Sequence, residues 1–141
     1  LTMARQRMQF VVRQSIFDLG IAKNVVNYVV CLFVIDDYPV EKKREFFHQV
    51  STIMTPGGSV FFAAYSPHDE RMGRCKTTIN EQTHMRFTIY LESSPWYEAL
   101  FHACGFLVEQ TEILRTHGLY DGEDSALLVQ REFVLMVAKK P

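Results

Sequence analysis

Glycine and proline are sparse in this sequence, 7 and 5 among 141 residues. Neither gathers into a linker, a triplet period or a Gly/Ser tract, and no segment repeats, so low-complexity and fibrous classes are excluded and nothing marks a domain boundary. No apolar stretch approaches the ~20 residues needed to span a bilayer; the longest, Val25 to Ile35, is interrupted by Asn27. Cysteine is scarce as well. Cys31, Cys75 and Cys104 are an odd number at wide spacing, which fits neither a disulfide framework nor a zinc site and suits free thiols in a reducing, intracellular compartment, cytoplasmic or organellar. An excess of one charge is missing too: fifteen basic against sixteen acidic side chains leave a formal charge of −1, with no global field to draw in nucleic acid or anionic lipid.

What is present is material for a core. Hydrophobic residues make up 48% and aromatics 13%, enough for one packed domain over residues 1–141. Thr2 to Met8 favour helix, and Gln9 to Gln14 read as a short β-branched strand. Val26 to Val34 form a near-continuous apolar run, the pattern of a central strand covered on both faces. Asp36 and Asp37 offer capping carboxylates, and Pro39 suits a first helical turn. In the helix expected over Val40 to Met54, the apolar residues Phe46, Phe47, Val50, Ile53 and Met54 fall on one face, while Glu41 to Glu45 read as a solvated charge run. Thr55-Pro56-Gly57-Gly58 then stops the helix and turns the chain into a strand, Ser59 to Tyr65.

Ser66 to Thr83 are polar, the composition of a loop with a short helix, and Met85 to Leu91 read as extended. Ser93-Ser94-Pro95 signals a helix start. Trp96, Leu100 and Ala103 carry that helix to Cys104, with Gly105 placed for the left-handed position that closes it. Phe106 to Leu114 and Glu132 to Ala138 read as the last two strands, joined by a polar connection containing Gly118, Asp121, Gly122 and Asp124. Strands alternating with helices predict a three-layer α/β domain with a mostly parallel sheet, antiparallel at its last strand.

This order resembles the second half of the class I S-adenosylmethionine-dependent methyltransferase domain. VNYVVCLFVIDDYP looks like that family's fourth strand and acidic turn, IMTPGGSVFFAAY like its Pro-Gly-Gly turn and fifth strand, and HACGFLVEQTEI like its Gly-Phe turn into the sixth. FVLMVAKKP is similar to the closing strand, and QFVVRQSIFDL to the third strand and its exit. The resemblance covers nearly the whole chain and implies a Rossmann-like methyltransferase fold that is incomplete, lacking its first two strands. Those strands carry the family's glycine-rich turn and the acidic residue that takes the ribose hydroxyls, and neither is found here. Ser15 stands where a carboxylate usually meets the adenine amine, with Asp18 as a shifted substitute, and Asn27 stands where the fourth strand usually opens with Asp.

By resemblance the cofactor is S-adenosylmethionine, and its remaining contacts fall on Ser15, Ile16, Cys31, Leu32 and Phe33. Half a pocket implies weak or no binding by this chain alone. Asp36, Asp37, Tyr65, Tyr90 and Trp96 are the substrate-side candidates; no catalytic residue is identifiable. The aromatic group Phe87, Tyr90, Trp96, Tyr97 and Phe101 serves either an acceptor pocket or core packing. His48, His68, His84, His102 and His117 have no metal-ligand spacing, and Ser66 and Ser93 suit turn chemistry better than a hydrolase nucleophile. Two functions remain open: a methyltransferase that needs a further amino-terminal segment, or a catalytically inactive scaffold of the same fold in a larger assembly. Either way, an upstream segment or a protein partner is expected to cover the sheet edge that the absent strands expose.

Overall fold

The computed structural model describes residues 15–74, 77–80, 85–121 and 126–141. The helix expected over Thr2 to Met8, the strand over Gln9 to Gln14, and Cys75, His84, Gly122 and Asp124 lie outside them. Six strands and three helices follow in chain order among the described residues: β1 (Val26–Leu32), α1 (Val40–Ile53), β2 (Met54–Tyr65), α2 (Glu70–Arg74), β3 (Thr77–Asn80), β4 (Met85–Thr88), α3 (Ser94–Ala103), β5 (Leu107–Asp121) and β6 (Ala126–Lys139). The main sheet runs β1-β2-β6-β5, and β3 and β4 form a separate antiparallel pair. β1 and β2 are parallel, as a helical crossover demands, whereas β6 is antiparallel to both β2 and β5.

Both long helices lie on one face of the sheet. Phe46, Phe47, Val50 and Ile53 of α1 and Tyr97, Leu100 and Phe101 of α3 are buried against Cys31, Val60, Phe62, Ala64, Val134, Met136 and Ala138. Phe47, Phe62 and Phe101 meet with ring centroids 4.6 to 5.6 Å apart, close enough to add edge and offset attraction to the burial of their area. Gly105 takes φ +83° and ends α3, as its position predicts. Lys140 closes the carboxyl end of α1, its ammonium donating to the carbonyls of Ser51 and Met54 at 2.6 and 2.8 Å, where a cation also suits the helix dipole.

Several elements differ from expectation. β1 is the edge strand of the described sheet, with Tyr28, Val30 and Leu32 51 to 70% exposed along one face; the described residues supply two of the three expected layers. An apolar run covered on both faces and one left bare on one face have the same composition, so only the neighbours tell them apart. The Pro-Gly-Gly segment does not leave the sheet but belongs to β2 as a bulge: β1 advances from Val26 to Tyr28 while β2 advances from Met54 to Ser59. Lys43, expected on a solvated face, is fully buried. The amino end of α1 is capped by Pro39 with no side-chain hydrogen bond, so neither Asp36 nor Asp37 caps it. β5 and β6 run far past their expected limits as one long hairpin, in which Gly118 is paired with Val129.

Candidate functional site

The carboxyl ends of β1 and β2 point the same way, and the residues leaving them converge. Phe33 continues the parallel ladder by one bond, its N–H donating to the Ala63 carbonyl at 2.8 Å, although its φ is +55°, a left-handed backbone unusual for a bulky residue. That twist turns its ring onto Tyr65 and Phe133, at centroid distances of 4.7 and 5.4 Å. The Arg131 guanidinium covers the Tyr65 and Phe133 rings at 5.5 and 5.1 Å and is held by Asp69, with Nε 2.7 Å from Oδ2. Beside it the Ser66 hydroxyl donates to Glu132, and Arg115 Nε approaches the other oxygen of that carboxylate at 2.7 Å. The Glu132 carboxyl lies below its usual range, held there first by the Ser66 hydrogen bond, against burial, and then by Arg115.

A second polar group lies on the helix side. Asp36 is 3% exposed; its carboxylate accepts from the Tyr65 amide at 3.3 Å and from the Tyr97 hydroxyl at 3.4 Å. Lys43 donates to the Tyr90 carbonyl and, at 3.3 Å, to the Tyr97 hydroxyl. Burial pushes the Asp36 carboxyl up to about 6, outweighing the lowering from the Tyr65 amide, Lys43 and Tyr97, and Asp37 adds to the rise. Burial likewise lowers Lys43, opposed by the charges of Asp36 and Glu92, and raises the Tyr97 hydroxyl, with Asp36 and Glu92 adding to the effect.

The five cofactor-side candidates do not share a surface. Ser15 is exposed in a tight turn where its Oγ accepts from the Phe17 amide at 3.2 Å, and Ile16 packs against the helix-side core. Cys31 points into that core, its thiol pushed up to about 12 by burial and by Asp36; Leu32, one residue on, faces the opposite, open side, as strand alternation requires. Phe33 is half-exposed at the junction of the two. Among the substrate-side candidates, Asp36 is buried, Asp37 and Tyr90 are exposed, and Tyr65 and Trp96 are half-buried. Tyr97 and Phe101 belong to the core, which gives packing the larger share of the aromatic group; the Phe87 side chain lies outside the described residues. Sequence reading missed Lys43, Arg131 and Glu132. Lys43 carries one signal, an apolar-face position one turn before Phe46 and Phe47; the other two alternate within a strand and carry none.

A groove of about 230 Å³ follows β1 on its helix side, lined by Ile16, Leu19, Ile21, Val29 and Val34 among others. A shallow one of about 220 Å³ lies on the open face around Leu32, Phe61, Leu135 and Val137. Among the described residues the outer edge of β1 is unpaired, and the helix-side groove runs beside it, whereas the open-face recess lies mainly over β2, β6 and β5. Among the described residues no group of three or more His, Cys, Asp or Glu is placed to hold a metal ion, and no helix is long and apolar enough to cross a membrane.

The strand order β1-β2-β6-β5 with its reversed closing hairpin defines a class of fold, the S-adenosylmethionine-dependent methyltransferase type, of which this chain shows a part. Solved structures bear this out. A protein of Bacillus halodurans assigned as a methyltransferase superposes with a TM-score of 0.71 at 12% identity, covering 99% of this chain and 76% of its own. An assigned S-adenosylmethionine-dependent methyltransferase of Listeria monocytogenes gives 0.67 at 14%, covering 99% and 75%. A chain from a Haloferax volcanii complex, in which the Trm112 methyltransferase activator is bound to an assigned methyltransferase, gives 0.68 at 14%, covering 99% and 66%. No protein-family model and no curated protein matches the sequence. The chain thus spans about three fifths to three quarters of the length of the structures it resembles.

Proposed function

We propose that this chain is a methyltransferase-like domain completed along β1 by further polypeptide, either an amino-terminal segment or a partner protein, which brings the main grip on S-adenosylmethionine. One observation carries the reading. Among the described residues β1 has no partner on its outer edge, and Tyr28, Val30 and Leu32 lie exposed on its open face, which supports a continuation of the sheet there by two more strands and their helices. Unpaired strand edges and large apolar patches are seldom left open. Within the completed domain, the methyl donor lies over the carboxyl ends of β1 and β2, against Leu32 and Phe33 with Cys31 behind them, while Ser15 and Ile16, which lie on a different surface, contribute only if the added polypeptide brings the two surfaces together. Asp37, Tyr65, Tyr90 and Trp96 face the acceptor, and buried Asp36 supports them. The bound cofactor supplies an already activated methyl group, and the residues of this chain orient the acceptor against it and exclude water. Assembly with a second protein is compatible with the fold, since the Haloferax volcanii neighbour is found with an activator.

The second reading is a catalytically inactive scaffold. What favours it is chemical: by the resemblance, Ser15 and Asn27 stand where carboxylates are usual, and the Cys31 thiol is turned into the core. Calorimetric titration with S-adenosylmethionine and with its demethylated product separates the two. The chain alone is expected to show no binding at millimolar concentration or better. A fusion that adds a strand, a Gly-x-Gly turn and an acidic residue about 20 positions later is expected to bind. Failure of a folded fusion to bind favours the scaffold, and tight binding by the chain alone overturns the half-pocket.

A further inference from the structure

Four elements meet at one buried acid and one buried base. Asp36 follows β1, Lys43 stands in the first turn of α1, Tyr97 in the first turn of α3, and Tyr65 ends β2. The connection into α3 is pinned at the same place, because the Tyr90 amide donates to the Asp36 carbonyl at 2.7 Å while its own carbonyl accepts from Lys43. Lys43 also lies 5.7 and 5.5 Å from the Trp96 and Tyr97 rings. Yet its ammonium makes no hydrogen bond to the Asp36 carboxylate, and the two side groups communicate through the Tyr97 hydroxyl. Among the described residues the carboxylate has two long hydrogen bonds, of 3.3 and 3.4 Å, at a position only 3% exposed. An ionised carboxylate so placed is poorly compensated, and a protonated one is not.

We propose that Asp36, Tyr97 and Lys43 form a proton-operated clamp on residues 89–97, which tightens when Asp36 takes up a proton and loosens when it gives one up. Among the described residues, the groups facing Asp36 from each side are Cys31 on β1, Asp37 in its own turn, Lys43 on α1 and Tyr97 on α3, with Glu92 facing Lys43 and Tyr97. Lys43 is the one cation among them, and burial outweighs its attraction. The closed clamp holds the carboxyl at about 6 against an ordinary 3.8; opening returns it to water and to the lower value. A raised value makes the closed form most favoured below the ordinary one, and that preference is lost as pH rises through about 6. Tyr90 and Trp96 move with the segment, so acceptor-side access follows proton activity whether or not a methyl donor is bound.

Amide hydrogen exchange on the whole chain tests the clamp. Protection of the Tyr90 amide, corrected for intrinsic exchange, is expected to fall about tenfold between pH 5 and pH 7 by the linkage relation. The Met136 amide in the centre of the sheet should change far less, and Asp36→Asn should abolish the pH dependence at Tyr90. Unchanged protection at Tyr90, the same change in Asp36→Asn, or a matching change at Met136 would each overturn the proposal. If Asp36→Asn does not fold, the carboxyl carbon shift of Asp36 in the unaltered chain decides. A midpoint near 6 supports the clamp, and one near 4 refutes it.

Discussion

The Tyr97 hydroxyl lies 3.4 Å from Asp36 Oδ1 and 3.3 Å from Lys43 Nζ, so one phenol on α3 mediates between an acid in the turn after β1 and a base on α1. Lysine is rarely buried whole unless it is paired, and here the pairing is indirect. That arrangement decides how the site should respond to substitution.

Lys43→Ala removes three buried methylenes and two hydrogen bonds, and is expected to cost about 2–4 kcal/mol of stability in urea unfolding. Lys43→Met keeps the volume but removes the cation that supports the Asp36 carboxylate. Its penalty should be about 1 kcal/mol or less at pH 5, where the carboxyl is mostly protonated, and larger at pH 7.5. Equal penalties for Lys43→Met at the two pH values would show that Lys43 acts by packing alone.

The Pro-Gly-Gly bulge is tested by its two glycines, which differ in kind. Gly57 has φ +81° and nothing within 4 Å of an added Cβ, so Gly57→Ala meets only backbone strain, about 1–2 kcal/mol. At Gly58 an added Cβ would sit 2.9 Å from the Asn27 carbonyl oxygen and 3.0 Å from that of Thr55. Both are backbone atoms of the β1–β2 contact and cannot swing aside. Gly58→Ala should therefore be the more damaging substitution, by thermal midpoint, and should loosen β1 from β2. An equal loss at both positions would mean that the bulge relaxes freely.

Much of this fold is legible because its signals are local. The face formed by Phe46, Phe47, Val50 and Ile53 declares a helix, Cys104-Gly105 declares its successor's end, and the Val26 run declares a strand. What escapes depends on partners distant in sequence. Lys43 reads as one member of a charge run until Tyr90 and Tyr97, 47 and 54 residues away, close over it. Asp36 reads as a cap because Asp before Pro usually is one, and only the fold brings the Tyr65 amide to its side chain. The far halves of β5 and β6, Arg115 to Asp121 and Ala126 to Arg131, lack the polar-apolar alternation of a half-buried strand and include Gly118, so they read as a loop until each strand has the other to pair with. The candidate site suffers most, since a residue's face on a strand is readable but what stands opposite that face is not.

Glu132 should show the opposite pH response to Asp36. Its carboxyl is lowered by Ser66 and Arg115, so it adds stability above the ordinary glutamate value and loses it as pH falls through the lowered one. Arg115 is 64% exposed and screened by solvent, leaving the buried Ser66 bond as the main contribution. Glu132→Gln is expected to cost about 1–2 kcal/mol at pH 7 and progressively less as the pH is lowered into the acid range, read as the difference in urea midpoint between the two proteins. A penalty that stays undiminished down to the lowest pH at which the chain is folded would assign the loss to packing.

The bare strand sets the last expectation. Tyr28 and Val30 are 70% and 65% exposed on an uncharged strand whose outer edge has no partner among the described residues, and such an edge is a template for pairing. The chain alone should self-associate as its concentration rises, seen as a growing weight-average mass in sedimentation. Val30→Lys places a charge on the open face without touching the helix-side core. It should suppress that association by roughly tenfold or more, while leaving the thermal midpoint nearly unchanged, as surface substitutions do. Ser59→Lys, on the same face of β2 next to Tyr28 but away from the edge, is the control and should do much less. If both lysines act alike, the association belongs to the whole open face rather than to the edge. If neither acts, the edge of β1 is closed in solution, and the surface on which the completed domain was argued is not available for completion.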